Sequence, residues 1–182
     1  MKVAATTVGR KGHEGERQNG ERLKVAELAL EKAANLGADV IVLPGGFFTA
    51  HSSKAREAIA DSFLSKAKQI GIAIVFGVDQ EVKNPSTDGE ILCKRRLLPY
   101  YGYVWSPSEN IPPHCWQQRS STSANQWYAS EACCKEVRLL KIRDETLGVL
   151  MCGEIFNQRI RNALAKHSPR PKVVADVAHM GG

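Results

Sequence analysis

The sequence predicts an α/β fold in which parallel strands form a sheet and helices cover its face. Residues 39–43 and 72–78 are continuous apolar runs, typical of strands buried on both faces of a parallel sheet. The segments before them, residues 19–36 and 53–69, carry apolar side chains at the spacing of amphipathic helices. Because strands alternate with helices, we expect right-handed parallel crossovers.

The remaining elements of the first half have weaker signals. Residues 2–8 are rich in Val and Thr, which predicts a first strand. Gly37 follows the first helix and is the expected stop. Residues 81–82 and 90–98 flank the turn-rich stretch Asn-Pro-Ser-Thr-Asp-Gly, and this pattern predicts a hairpin.

The second half is less regular. Residues 106–130 are rich in Pro, Ser and Gln and are predicted to form a long loop. A second hairpin, a short helix capped by Asn157 and a last strand are expected at residues 136–152, 157–167 and 172–178. Neither repeats nor a linker divide the chain, so we expect one domain over residues 1–182.

Composition excludes several classes of function. The net charge is +6, but only residues 94–96 form a contiguous basic triplet and no basic stripe is interleaved with aromatics, so nucleic acid is not an expected partner. The longest apolar stretch, residues 70–78, is too short to span a bilayer. Polar residues at positions 9–24 do not fit a signal peptide, which predicts a cytoplasmic protein without membrane contact.

The five cysteines are odd in number and none are spaced as zinc or redox pairs usually are. Free thiols are therefore expected, and we predict no metal and no cofactor. The clusters His114-Cys115 and Cys133-Cys134 are the only alternative that the sequence offers, and their spacing matches no common zinc pattern.

One segment carries the strongest chemical signal. In LGVLMCGEIF, residues 147–156, an apolar strand ends at Cys152, and the backbone amide of Gly153 is placed to stabilise an oxyanion. Such a thiol is either a nucleophile or a buried small hydrophobe. The segment CKRRLLP, residues 93–99, supplies Lys94, whose charge favours a thiolate if the two side chains meet.

Three segments together resemble a known family. ADVIVLPGGFF at 38–48, CKRRLLPYYGY at 93–103 and LGVLMCGEIFN at 147–157 resemble, in order and spacing, the motif regions of the nitrilase or carbon–nitrogen hydrolase superfamily. The resemblance implies an α-β-β-α sandwich that hydrolyses a small-molecule amide or nitrile without metal. It also implies that Cys152 forms a thioester and that Lys94 stabilises the tetrahedral intermediate. Gly153 and Glu154 would contact the substrate, and homo-oligomers would be common.

Two departures from the family leave alternatives open. Where the family places its catalytic glutamate, this chain has Gly45, which has no side chain to accept a proton. The substitute base could be Glu154, which is expected on the thiol's side of an extended strand end, or His51. The family's additional glutamate corresponds to Glu109 or Glu131. If no base is present, the protein is a catalytically inactive binding or interaction module.

The second departure is length, because family domains generally continue beyond the strand at 172–178. The resemblance therefore implies a C-terminally shortened sandwich, whether the chain is naturally short, a fragment, or covered by another chain. The last strand is then expected at a sheet edge, which is a surface for association.

Overall fold

The structure, a computed structural model, describes residues 1–6, 18–80, 100–120 and 135–178. Each predicted element that falls in these ranges can be compared with an observed one. The strands are β1 (Val3–Ala5), β2 (Val40–Val42), β3 (Phe48–Ala50), β4 (Ala73–Gln80), β5 (Tyr100–Trp105), β6 (His114–Gln117), β7 (Leu139–Ile142), β8 (Glu145–Leu150) and β9 (Val173–Asp176). The helices are α1 (Asn19–Asn35), α2 (Ser53–Ile70), a short 3-10 helix (Cys152–Phe156) and α3 (Gln158–Lys166).

The first sheet has the predicted parallel core. In the described ranges its strands run in the order β1-β2-β4-β5-β6, with β3 also paired to β4. β1, β2 and β4 are mutually parallel, and β5 and β6 extend the sheet by antiparallel pairing. The helices α1 and α2 make the crossovers between the parallel strands, as the alternation of the sequence predicts.

Both crossover helices pack on one face of this sheet. Their apolar sides, which include Leu30 and Phe63, meet Ile74 and Phe76 of β4 in one buried cluster. The α2 helix begins where the Ser52 hydroxyl accepts a hydrogen bond from the Ala55 amide at 3.1 Å, which satisfies a free amide of the first turn.

A second sheet packs on the opposite face. Its described strands have the order β7-β8-β9, with β8 antiparallel to β7 and parallel to β9. Val75 and Tyr100 of the first sheet meet Leu147 and Val149 of the second in the core between the sheets. Ile160 and Leu164 of α3 cover the outer face of the second sheet.

The layers therefore follow the order helix, sheet, sheet, helix. This confirms the α-β-β-α sandwich, the hairpin around residue 144, and the Asn157 cap of α3, whose side-chain oxygen accepts from the Arg159 amide at 3.0 Å. In the described ranges β9 lies at an edge of its sheet. No helix in those ranges is long and apolar enough to cross a membrane.

Some expectations about local structure are wrong. The stretch 106–130 is not all loop, because residues 114–117 form β6 on the edge of β5. Neither β3 nor β5 was expected as a separate strand. Pairing across the sheet stabilises these segments, and such non-local pairing leaves little signal in a short window of sequence. The hairpin expected within residues 81–98 lies outside the described residues.

Candidate active site

Cys152 lies directly after β8, the middle strand of the described second sheet. Its amide donates to the Val177 carbonyl at 3.2 Å, and the Val177 amide donates to the Leu150 carbonyl at 2.9 Å. These two bonds fix the end of β8 against the chain that follows β9. The thiol is half-buried beside the core between the sheets.

The backbone of Cys152 adopts the left-handed conformation, with φ of 46°. This conformation is uncommon for residues other than glycine, and it costs about 1–2 kcal/mol. The chain then enters the 3-10 helix, in which the Glu154 amide donates to the Met151 carbonyl at 3.0 Å. The apolar run before Cys152 predicts that the chain stays extended as far as Glu154, which would place its side chain on the same side as the thiol. This is wrong, because the chain turns at residue 152.

Glu154 is fully buried and holds this turn in place. Its carboxylate accepts from the amide and the guanidinium of Arg119 at 2.8, 3.0 and 3.1 Å, and from Arg138 at 3.2 Å. It also accepts from the Met151 amide at 3.2 Å. With both oxygens engaged by protein donors, these contacts favour a structural role for Glu154 over substrate contact. Because both carboxylate oxygens are engaged, these contacts also argue against Glu154 as the substitute base.

The two arginines connect the turn to other parts of the domain. Arg119 also donates to the Glu136 carbonyl at 2.7 Å, and Arg138 donates to the Gln117 carbonyl at 2.9 Å. Both guanidinium groups are almost fully buried. Two buried positive charges therefore meet at the Glu154 carboxylate. Sequence reasoning did not identify either arginine.

Tyr100 occupies the space beside Gly45, where the family resemblance places a glutamate. A Cβ added at residue 45 would lie 2.2 Å from the Tyr100 hydroxyl oxygen, and one added at Gly77 would lie 2.1 Å from it. Both positions therefore need glycine so that the tyrosine ring can fit. The Tyr100 ring thus fills the space into which a side chain at position 45 would extend.

The Tyr100 hydroxyl donates to the Val177 carbonyl at 2.8 Å, the same carbonyl that accepts from the Cys152 amide. Burial raises the pKa of Tyr100 well above its usual value, and the charges of Asp79 and of the Cys152 side chain add to this effect. The hydroxyl therefore stays protonated near neutral pH. It acts as a neutral donor to the carbonyl that also accepts from the Cys152 amide, and so helps to hold the turn at Cys152.

Asp176, the last residue of β9, brings a second carboxylate to the Cys152 turn. It is paired in register with Leu150, and its carboxylate accepts a hydrogen bond from the Cys152 amide. Burial and, to a smaller extent, the charge of Glu154 raise its pKa from 3.8 to about 6, although the hydrogen bond from the Cys152 amide opposes this shift. The sequence contains a signal that could have identified it, namely one acid in the otherwise apolar run VVADVA.

Of the other predicted site residues, those that the structure describes, His51 and Glu109, are not grouped around Cys152. Lys94 and Glu131 lie outside the described residues. His51 is exposed and follows β3, whose buried side chains belong to the helix-side core. Glu109 accepts from the Lys141 amide at 3.0 Å, near the β7–β8 turn, which is the opposite end of β8 from Cys152.

No metal-binding cluster is found in the part of the chain that the structure describes. No group of three or more His, Cys, Asp or Glu side chains is placed there to hold an ion. Cys115 is an exposed residue of β6. Partial burial of its sulfur raises the pKa of the thiol, whereas the hydrogen bond with Tyr103 and the charge of Arg56 lower it. Cys133 and Cys134 lie outside the described residues.

The sequence matches no family model and no curated protein. Among solved structures, the chain is similar to the NitN amidase from Nesterenkonia sp. AN1, with a TM-score of 0.71, 15% identity, and coverage of 100% of this chain and 68% of that one. A cysteine-to-serine variant described as an amidase from the nitrilase superfamily gives 0.71, 14%, 100% and 67%. A cysteine-to-alanine variant in complex with butyramide gives 0.71, 14%, 100% and 66%.

These structures are forms of one amidase, and the chain spans about two thirds of its length. At this level of identity, the similarity shows the fold. This protein has the α-β-β-α fold of nitrilase-superfamily amidases, as the resemblance of its three motif segments implies.

Proposed function

We propose that this protein is a cysteine-dependent hydrolase of small carboxamides, with Cys152 as the nucleophile. One observation carries the proposal. A cysteine that ends a central strand is held in the left-handed conformation, with φ of 46°, in a fold shared with amidases. Strained backbone of this kind clusters at active sites because the surrounding structure must hold the reactive group in one position.

Electrostatics near the turn supports a reactive thiol. Two buried guanidinium groups, those of Arg119 and Arg138, share the Glu154 carboxylate two residues from Cys152. Positive charge near a cysteine favours the thiolate, which is the nucleophilic form. Lys94, if it reaches the same pocket, would strengthen this effect and stabilise the negative charge that develops on the substrate oxygen.

The reaction that we propose forms and then hydrolyses a thioester. The Cys152 sulfur attacks the carboxamide carbon, ammonia leaves, and water releases the carboxylic acid. We assign the Gly153 amide to the developing oxyanion. Glu154 has its oxygens engaged, so we assign it to holding the turn rather than to substrate contact.

A second candidate function is amide binding without turnover. The Tyr100 ring favours it, because it fills the position at which the family resemblance places a catalytic glutamate. Loss of a general base costs about a hundredfold to ten-thousandfold in rate. A protein with that loss and no substitute would retain a small-molecule site and little chemistry.

The test uses small amides that the similar amidase accepts in its solved structures. Butyramide is seen bound to a variant of that amidase, and acrylamide is added to its active-site cysteine. The protein would be incubated with acrylamide and the modified cysteine located by mass spectrometry. Ammonia release from butyramide would be measured in parallel. Cys152→Ala is the test variant, and Cys115→Ala is the matched control, since Cys115 is the exposed thiol of β6.

We expect acrylamide to modify Cys152 roughly ten times faster than Cys115, despite the greater exposure of Cys115. Ammonia release should be lost in Cys152→Ala and retained in Cys115→Ala. If Cys152 is no more reactive than Cys115 and no ammonia is released, the hydrolase proposal is wrong. Butyramide binding without ammonia release would favour the second candidate.

Two further properties belong to the proposal. We propose a homo-oligomer, because β9 lies at an edge of the described second sheet and such edges pair readily with other chains. We also propose a cytoplasmic protein. Sedimentation of the purified chain tests the first property, and a single monomeric species at micromolar concentration would contradict it.

A further inference from the structure

Two consecutive residues at the end of β9 contact the backbone of the candidate nucleophile. The Val177 carbonyl accepts from the Cys152 amide at 3.2 Å, and the Asp176 carboxylate accepts from the same amide. The parallel register between Leu150 and Asp176 places this carboxylate beside the strand end that carries the thiol. Asp176 is therefore close to Cys152 for reasons of topology, although 24 residues of sequence separate them.

The surroundings of Asp176 are poor for a carboxylate that has only a structural task. Its Oδ1 atom is buried, and no donor reaches it from the part of the chain that the structure describes. The nearest like charge is Glu154, whose own oxygens are taken by arginines. A buried polar atom without a partner costs stability, and such groups concentrate at functional sites.

Neither Glu154 nor Glu109 offers a free oxygen at this turn. Glu154 is engaged by four donor groups, and Glu109 bonds at the far end of β8. Position 45 carries no side chain, and Tyr100 fills the space beside it. The chain thus has no glutamate at position 45, after β2, but it has a carboxylate on β9.

We propose that Asp176 is the general base for Cys152, and that it replaces the glutamate absent from position 45. The inference rests on the proposed amide hydrolysis. It assigns the proton transfers of that reaction to a residue of β9 in the second sheet, whereas position 45 follows β2 of the first sheet.

Each proton has a defined path in this scheme. The Asp176 carboxylate takes the thiol proton as the sulfur bonds to the amide carbon. The protonated Asp176 returns it to the amide nitrogen as the C–N bond breaks, so ammonia and a thioester are formed. Asp176 then takes a proton from water as the water oxygen attacks the thioester. That proton returns to sulfur when the C–S bond breaks, so the acid is released and the enzyme is restored.

The scheme predicts a particular dependence on pH. In the described ranges, Asp176 interacts with the ionisable groups of Glu154 from the 3-10 helix and Tyr100 from β5, and with Cys152 through the backbone amide. A carboxyl pKa of about 6, raised by burial and by Glu154, lies close to the value at which a base works well near neutral pH. Below that pH, Asp176 is protonated and cannot accept the thiol proton.

The experiment measures the rate of Cys152 alkylation by iodoacetamide from pH 5 to pH 10, in the Cys115→Ala background. The variants are Asp176→Asn, Asp176→Glu and, as a matched control, Asp144→Asn in the exposed β7–β8 turn. Circular dichroism confirms folding of each. Ammonia release from butyramide is recorded separately.

We expect the parent rate to rise through pH 6, and Asp176→Asn to lose this rise and to react about a hundredfold more slowly at pH 7. Near pH 10 the two rates should converge, because the thiol then ionises without a base. A purely structural defect would lower the rate at every pH. Asp176→Glu should recover part of the neutral-pH rate, and Asp144→Asn should match the parent.

Superimposable profiles for Asp176→Asn and the parent would overturn the inference. Continued ammonia release in that variant would leave the proposed function intact. If the parent releases no ammonia at all, the proposed function fails, and the alkylation profile still decides whether Asp176 accepts the thiol proton.

Discussion

Substitution of Gly45 by alanine tests whether Tyr100 has taken the space of the expected glutamate. The new Cβ would lie 2.2 Å from the Tyr100 hydroxyl oxygen and 2.9 Å from the Val177 carbonyl oxygen. Contacts this short require the ring or the end of β9 to move, and overpacking of this kind costs about 1–3 kcal/mol. We expect Gly45→Ala to lower the free energy of unfolding by about 2 kcal/mol.

The same substitution should cost less when the hydroxyl is absent. In Tyr100→Phe, the nearest atoms to the new Cβ would be the ring Cζ and the Val177 oxygen, both at 2.9 Å. Tyr100→Phe alone loses one buried hydrogen bond and should cost about 1 kcal/mol. The double variant should therefore be more stable than the sum of the single effects by about 1 kcal/mol.

Urea unfolding of the parent, the two single variants and the double variant gives this coupling energy. Gly20→Ala is the control, because nothing lies within 4 Å of a Cβ at that position in α1. It should leave stability unchanged or raise it by about 0.5 kcal/mol. If the Gly45 and Tyr100 effects are strictly additive, or if Gly45→Ala is neutral, the ring does not occupy the glutamate space.

Four further outcomes are expected. Gly45→Glu alone should give no gain in amide hydrolysis, whereas Gly45→Glu combined with Tyr100→Ala should release more ammonia; equal rates would contradict a blocked glutamate position. Glu154→Gln should lower the free energy of unfolding by about 3–5 kcal/mol in urea titrations, since two buried arginines lose their shared charge. Asp176→Asn should raise stability at pH 7 by about 1 kcal/mol, a shift from 3.8 to about 6 being partly screened at a half-buried group. A raised carboxyl pKa makes the native state bind more protons, so this gain should disappear below about pH 4, and a gain constant across pH would refute it. Asn157→Ala should cost about 1 kcal/mol, measured by thermal unfolding, because the α3 amides lose their cap.

The crossover half of the fold was predictable because its signals are local. Apolar runs at residues 39–43 and 72–78 and the helical periods before them depend only on neighbouring side chains, and the structure forms β2, β4, α1 and α2 there. β5 and β6 were harder to predict. They form because β4 offers an edge on which they pair, and that edge exists only in the folded sheet.

The candidate nucleophile could also be predicted, since an apolar strand ending in Cys-Gly-Glu is contiguous in sequence. Its base could not. The wrong assumption was that the chain stays extended past Cys152, which would have kept Glu154 beside the thiol. The left-handed turn directs Glu154 to two arginines that come from distant segments.

Local sequence patterns and the three motif segments were enough to predict the α/β class, the sandwich and the strand end that carries Cys152. The side chains around that thiol could be identified only in the folded chain. Tyr100 beside Gly45 and Asp176 beside the Cys152 amide come from separate strands, and parallel pairing of β8 with β9 brings the second of these to the site. Contacts between distant segments depend on sheet register and on the sizes of facing residues, and neither can be predicted from a short segment of sequence.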